Sequence, residues 1–180
     1  MSRWKIIPGV NLYFITTTII EWQTVFVSLP MFEMIIESLR YCVAHKGLHL
    51  HAYIIMPNHA HYIVSAEPPE HLSNIIRDFN RHTSQRITEL LEEGRQTNIL
   101  DIFQHAAMEE GRSNKYKVWQ EGFHPIGIDT AKFFREKLEY LHNNPVRKGF
   151  VDEPEHWRYS SARNYLLEDH STISVECLEF

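Results

Sequence analysis

The chain has 180 residues, 43% of them hydrophobic and 23% charged, with a net charge of −5 and two cysteines. That length is enough for one well-buried core and makes a second domain unnecessary. Cys42 and Cys177 lie far apart and match no zinc or redox spacing, which argues against a disulfide framework or a thiolate metal site and fits a reducing cytosol.

Asn11 to Ile20 (NLYFITTTII) is rich in β-branched and aromatic residues and reads as a first strand. Leu29 to Gly47 then has helical periodicity and stops at a glycine. Glu33, Glu37 and Arg40 interrupt this most apolar run, and no basic-then-apolar leader precedes it, so a soluble, unexported protein is expected. LHLHAYIIM (48–56) and HAHYIVSA (59–66) read as two strands joined by Pro57-Asn58. A long helix follows over 70–93, with Leu72, Ile75, Ile76, Phe79, Ile87, Leu90 and Leu91 as its apolar positions. The amphipathic run 99–108 sits between polar stretches and reads as an insertion. YKVWQEGFHPIGI (116–128) is expected as strand, and 130–144 as a helix with Asp129 as N-cap and Pro145 near its end. After Gly149 the chain turns irregular, with a tail segment docked through Trp157, Tyr159 and Tyr165.

The order β-α-β-β-α-β-α implies an α+β fold, a ferredoxin-like antiparallel sheet with packed helices and one added helix. The expected organisation is one domain over 1–180 with an acidic tail from about residue 150. The net negative charge taken alone disfavours nucleic acid as a partner. Its distribution changes that reading, because residues 149–180 carry 2 basic and 7 acidic side chains while 72–148 carry 12 and 11. Arg77, Arg81 and Arg86, then Lys132, Arg135 and Lys137, then Arg147 and Lys148 form local basic clusters, which a solvated surface would also explain.

His59 and His61 are one residue apart in a strand, so both point to one face, where two imidazoles can reach one ion. If Pro57-Asn58 is a two-residue hairpin loop, Met56 faces His59 and Ile54 faces His61. The same parity puts His49 and His51 on the opposite face, as strand-surface residues, unless a one-residue bulge intervenes. A chain with 12 histidines will also place some on strands by chance, and two imidazoles seldom suffice for a metal, so a third ligand is required.

The helix near the end of the chain has Phe134, Leu138 and Leu141 as a core stripe, with Phe133, Lys137, Tyr140 and Asn144 alongside it. A tyrosine one turn from an amide oxygen, with a lysine one turn back, suits a phenolate nucleophile beside a metal. A free phenol ionises near pH ~10, so attack at neutral pH needs a cation or base nearby. A surface tyrosine and a helix-ending Asn-Pro would account for the same residues. Trp119 and Gln120 read as mainly structural.

Together, MPNHAHYIV, KVWQEGFH and EYLHNNPVRKGFVDEPEHWRYSSARNYL resemble the single-tyrosine HUH transposases of the IS200-like family, in particular the REP-associated tyrosine transposase branch, from about Leu12 to Tyr165. The resemblance implies His59, His61 and Asn144 as metal ligands, Tyr140 as nucleophile, and Mg²⁺ or Mn²⁺ as cofactor. It also implies an enzyme that cleaves and rejoins single-stranded DNA near hairpins through a 5′-phosphotyrosine, acting as a monomer or homodimer in the cytoplasm at the nucleoid. Arg77, Arg81, Lys137, Arg147 and Lys148 are the expected DNA contacts. Two other readings remain at this stage: a non-catalytic hairpin-DNA-binding module and a zinc-binding regulator using the H-x-H pairs.

Overall fold

A computed structural model describes residues 11–111, 114–121 and 125–178. Four strands, β1 (Leu12–Thr18), β2 (Leu48–Met56), β3 (His59–Ala66) and β4 (Ile126–Ile128), form one antiparallel sheet in the order β2-β3-β1-β4. The connection from β1 to β2 runs through α1 (Leu29–Lys46) and leaves room for β3 between them, the split arrangement expected of a ferredoxin-like chain. Between β3 and β4 come α2 (Leu72–Glu93) and the added helix α3 (Thr97–Glu109). After β4 come α4 (Ala131–His142), the single turn α5 (Asn144–Arg147) and α6 (Ala162–Leu167). No helix among the described residues is long and apolar enough to cross a membrane.

Strand alternation divides the core in two. Tyr13, Ile15, Leu50, Tyr53, Tyr62 and Val64 point toward α1 and α2, whereas Phe14, Ala52, Ile54, Met56 and Ile63 meet Phe134 and Leu141 of α4. Both faces are thus covered, and the second is the one that carries His59 and His61. α1 closes at Gly47, where φ is +71° and an added Cβ would lie 2.7 Å from the Glu67 carbonyl oxygen. A Gly47→Ala variant is therefore expected to lower stability by about 1 kcal/mol or more, read as a shift in the denaturant midpoint.

Three local expectations need correction. The strand expected over 116–128 reduces to β4 and an isolated pairing of Trp119 with Ile19, while 122–124 fall outside the described residues. Trp119 is a core residue, stacked on Phe26 at 6.0 Å and donating to Thr83 Oγ1. The N-cap of α4 is Thr130, whose hydroxyl accepts from the Phe133 amide, so the cap lies one residue beyond Asp129. The third is a bulge: Leu50 pairs with Val64 but Ala52 pairs with Ile63, so His51 is the extra residue of β2.

The bulge reverses the parity of the first histidine pair, because His49 now pairs with Ser65 on the His61 face. His51 is buried rather than on the surface, 2.8 Å from Ser65 Oγ and 3.2 Å from the Glu176 carbonyl, while His49 meets the Glu176 carboxylate at 2.7 Å. These two histidines hold the tail rather than joining His59 and His61. Trp157 and Tyr165 also anchor it, donating to the carbonyls of Ile55 and His51, and Tyr159 stacks on Phe32 at 4.1 Å.

Burial keeps two of the histidines under the tail neutral: it pushes His142, beside Ser161, down to about 4 and lowers His51 from its ordinary value. In the unfolded chain both protonate near pH ~6.5, so below that pH the unfolded state binds the extra protons. Stability should be level above about pH 7 and fall as the pH drops toward 4, by up to about 3 kcal/mol from His142 alone. Urea unfolding at several pH values checks this; a midpoint unchanged across that window would contradict it.

Candidate active site

His59 and His61 sit on the central strand β3, flanked by β1 and β2. Thr18 and Met56 are the cross-strand partners of His59, and Thr16 and Ile54 those of His61, so the register expected for the hairpin holds. Both imidazoles are buried, with ring centroids 4.9 Å apart and planes at 70°. His61 stacks on Phe14 at 5.1 Å.

Each ring has its Nδ1 engaged. His59 Nδ1 donates to Asn58 Oδ1 at 2.7 Å, and His61 Nδ1 lies 2.8 Å from the Thr16 hydroxyl. The Asn58 oxygen can only accept, so in His59 Nδ1–H donates and the lone pair resides on Nε2, the tautomer that a metal-binding histidine needs; the Thr16 hydroxyl can accept from His61 Nδ1–H and hold that ring in the same tautomer. Burial, reinforced by the charge of Lys148, pushes His59 down to about 4. Burial, with His59, Lys137 and Arg147 contributing, pushes His61 down to about 3. Both rings are therefore neutral at ordinary pH. His61 Nε2 is a buried polar atom with no hydrogen-bond partner, which a protein rarely tolerates without a functional reason.

Asn144 supplies the third donor. Its amide nitrogen is 3.4 Å from His59 Nε2, and a half-turn of the amide presents the oxygen instead. This contact exists because α4 ends at His142 and Asn144 opens α5, with Pro145 forcing the break. Asn143, between the two helices, keeps right-handed backbone angles, and Asn144 follows it with its amide against His59 on the sheet. The set of two imidazoles and one amide fits a divalent ion that takes its remaining ligands from water and a phosphate. Among the described residues no three or more His, Cys, Asp or Glu side chains are grouped to hold a metal, so no carboxylate completes this set.

Tyr140 is the exposed member of the group, with its ring edge-on to His61 at 5.5 Å and to Phe14 at 6.0 Å. The Arg147 guanidinium lies 4.4 Å from the ring centroid and donates to the Tyr140 carbonyl at 2.7 Å. Lys137 Nζ is 5.9 Å from the same ring and 5.1 Å from those of Phe14 and Phe133. Of the five basic residues expected to meet DNA, Lys137, Arg147 and Lys148 thus border the histidine pair. Arg77 and Arg81 do not: they lie on α2, which covers the other sheet face, and both pair with Asp78.

Sequence reasoning passed over Thr16 and Asn58, the side chains that orient the two rings. Asn58 had a signal in its place beside His59, but it reads equally well as a turn residue. Thr16 is found only through the β1–β3 register, which no local pattern specifies.

The family profile of IS200-like transposases matches residues 14–144. No curated protein matches the sequence. Among solved structures, a REP-associated tyrosine transposase bound to a REP hairpin is similar over 100% of this chain and 95% of its own, with a TM-score of 0.65 at 16% identity. A protein of Deinococcus radiodurans R1, provisionally described as a transposase, is similar over 79% of this chain and 97% of its own, with a TM-score of 0.50 at 14% identity.

Proposed function

The chain belongs to the IS200-like transposase family, and on that premise we propose that it is a metal-dependent single-stranded DNA transposase/endonuclease that cleaves and rejoins DNA near hairpins through a 5′-phosphotyrosine. The observation that carries this reading is His61 Nε2, buried and without a protein partner, next to His59, Asn144 and Tyr140. His59, His61 and Asn144 would hold Mg²⁺ or Mn²⁺. When bound, such an ion draws charge from a non-bridging oxygen of the scissile phosphate.

Tyr140 is the nucleophile in this proposal. Its hydroxyl oxygen bonds to phosphorus and gives up its proton, the bond to the 3′ oxygen breaks, and that oxygen takes up a proton as a free 3′-hydroxyl. One phosphodiester replaces another, so reverse attack by a 3′-hydroxyl rejoins a strand without a further energy source. Arg147 holds the Tyr140 ring, and Lys137 and Lys148 supply positive charge where phosphates would lie. Arg77 and Arg81, one layer away, are proposed for a more distant part of the DNA such as a hairpin stem. The relative bound to a REP hairpin supports hairpin DNA as the partner, and membership of a transposase family fits a location in the cytoplasm at the nucleoid.

The test uses labelled single-stranded DNA carrying hairpins from the flanks of the protein's own gene, with Mn²⁺ or with EDTA. Metal-dependent cleavage leaving a 3′-hydroxyl is expected. Tight hairpin binding without cleavage in either condition would instead favour a non-catalytic DNA-binding module, and stoichiometric zinc in protein purified without added metal would favour a zinc-binding regulator.

Tyr140 packs on His61 of its own chain, which supports cleavage within one subunit. Mixing Tyr140→Phe with His61→Ala protein should therefore restore no cleavage. Recovery toward about a quarter of the wild-type rate, one working site in each of the half of dimers that are mixed, would show that subunits exchange tyrosines.

A further inference from the structure

Trp22 is 57% exposed, although tryptophan usually buries most of its surface. It lies in the short turn after β1, and its ring meets His59 edge-on with centroids 5.7 Å apart. The backbone there is unusual. Glu21 and Trp22 both have left-handed φ values, +50° and +56°, a conformation disfavoured for each of these residues and rarely adopted twice in succession. Such strain persists only where the surroundings impose it. Here Ile20 N donates to the Val118 carbonyl at 2.8 Å, Ile19 N to the Asn58 carbonyl at 2.9 Å, and Gln120 Nε2 to the Ile19 carbonyl at 3.1 Å.

The clamp reaches the histidines directly. Asn58 Nδ2 donates to the Trp22 carbonyl at 3.2 Å while Asn58 Oδ1 accepts from His59 Nδ1 at 2.7 Å, so one side chain holds both the turn and the imidazole. The fold thus accepts a strained turn whose result is an indole face left in solvent at the edge of the candidate metal site. Core packing does not explain this, because the ring is not in the core. A flat aromatic surface against His59, an imidazole that itself feels the charge of Lys148, has the composition of a single-stranded nucleic-acid site, where bases stack and cations hold the backbone.

We propose that Trp22 is a stacking platform for one unpaired DNA base next to the scissile phosphate, a positioning residue that sets the strand over Tyr140 and the histidines. This rests on the DNA-cleaving reading above and adds to it a specific subsite. Stacking on a π-face accepts any base, so the platform positions the strand and leaves the choice of sequence to other residues.

The experiment measures binding of a labelled hairpin oligonucleotide with a single-stranded flank, with Mn²⁺, in the Tyr140→Phe background, where cleavage cannot intervene. Trp22→Ala should weaken binding about tenfold or more, and Trp22→Phe should recover most of the loss. Trp22→Gly separates this from a structural role. Glycine accepts the left-handed backbone that alanine does not, so its unfolding midpoint should lie above that of Trp22→Ala while its DNA binding falls equally. An abasic nucleotide scanned along the flank should weaken binding at one position with Trp22 present and have no effect there in Trp22→Ala.

Binding by Trp22→Ala within about twofold of the parent, or equal losses on a hairpin lacking the flank, overturns the platform and leaves the cleavage reading standing. In the Tyr140-bearing wild type, flank binding that depends on Trp22 without any cleavage would keep the platform and refute the cleavage. No binding of single-stranded DNA at all refutes both.

Discussion

Tyr140→Phe is expected to abolish the covalent protein–DNA adduct outright while leaving DNA binding within about threefold of wild type. The substitution removes one oxygen. Tyr140 is 42% exposed, and the ring contacts that hold it, with His61, Phe14, Arg147 and Lys137, are all available to phenylalanine. The fold therefore has no reason to change, and the loss can be read as chemistry. An adduct formed by the Tyr140→Phe protein at more than about a hundredth of the wild-type rate would mean that another nucleophile acts. Retained binding is the second half of the prediction, because a variant that neither bound nor reacted would not distinguish a nucleophile from a scaffold.

His61→Ala should lower metal-dependent cleavage by about 100-fold or more and remove the stabilisation that Mn²⁺ confers on the wild type. In the metal-free protein His61 Nε2 is buried without a hydrogen bond, so removing it also removes a desolvated polar group, which offsets part of the lost stacking on Phe14. With metal at about 100 times its dissociation constant, the wild type should gain about 2.7 kcal/mol, and the variant much less. Thermal unfolding with and without Mn²⁺ reads this directly. Equal metal-induced shifts in both proteins would remove His61 from the ligand set.

Much of the framework could be read locally. The strand pair 48–56 and 59–66 and the facing of Ile54 with His61 and Met56 with His59 follow from alternation and a two-residue loop, and both hold in the structure. The core stripe of α4 follows from spacing in the same way, with Phe134 and Leu141 buried as expected. What local pattern missed depends on contacts between distant residues. Nothing near His51 announces the bulge, whose residue is held from Ser65 and from the Glu176 carbonyl 125 positions away. Helical spacing puts Asn144 near Tyr140 but does not announce its contact with His59, 85 positions away. Composition groups Arg77 and Arg81 with the other cations, and the sheet separates them because α2 covers the face that the histidines do not use. Trp22 carried no periodic signal, since its exposure comes from a backbone conformation that its residue type disfavours.

His59, His61, Asn144 and Tyr140 are proposed to act as one metal-dependent strand-cleaving site. The most direct test incubates the wild-type protein with hairpin-bearing single-stranded DNA and Mn²⁺, denatures the product, digests it with protease, and maps the modified peptide by mass spectrometry. The account predicts a nucleotide linked through its 5′-phosphate to Tyr140, present with Mn²⁺ and absent with EDTA. An adduct on any other residue, or one that forms equally without metal, would contradict it.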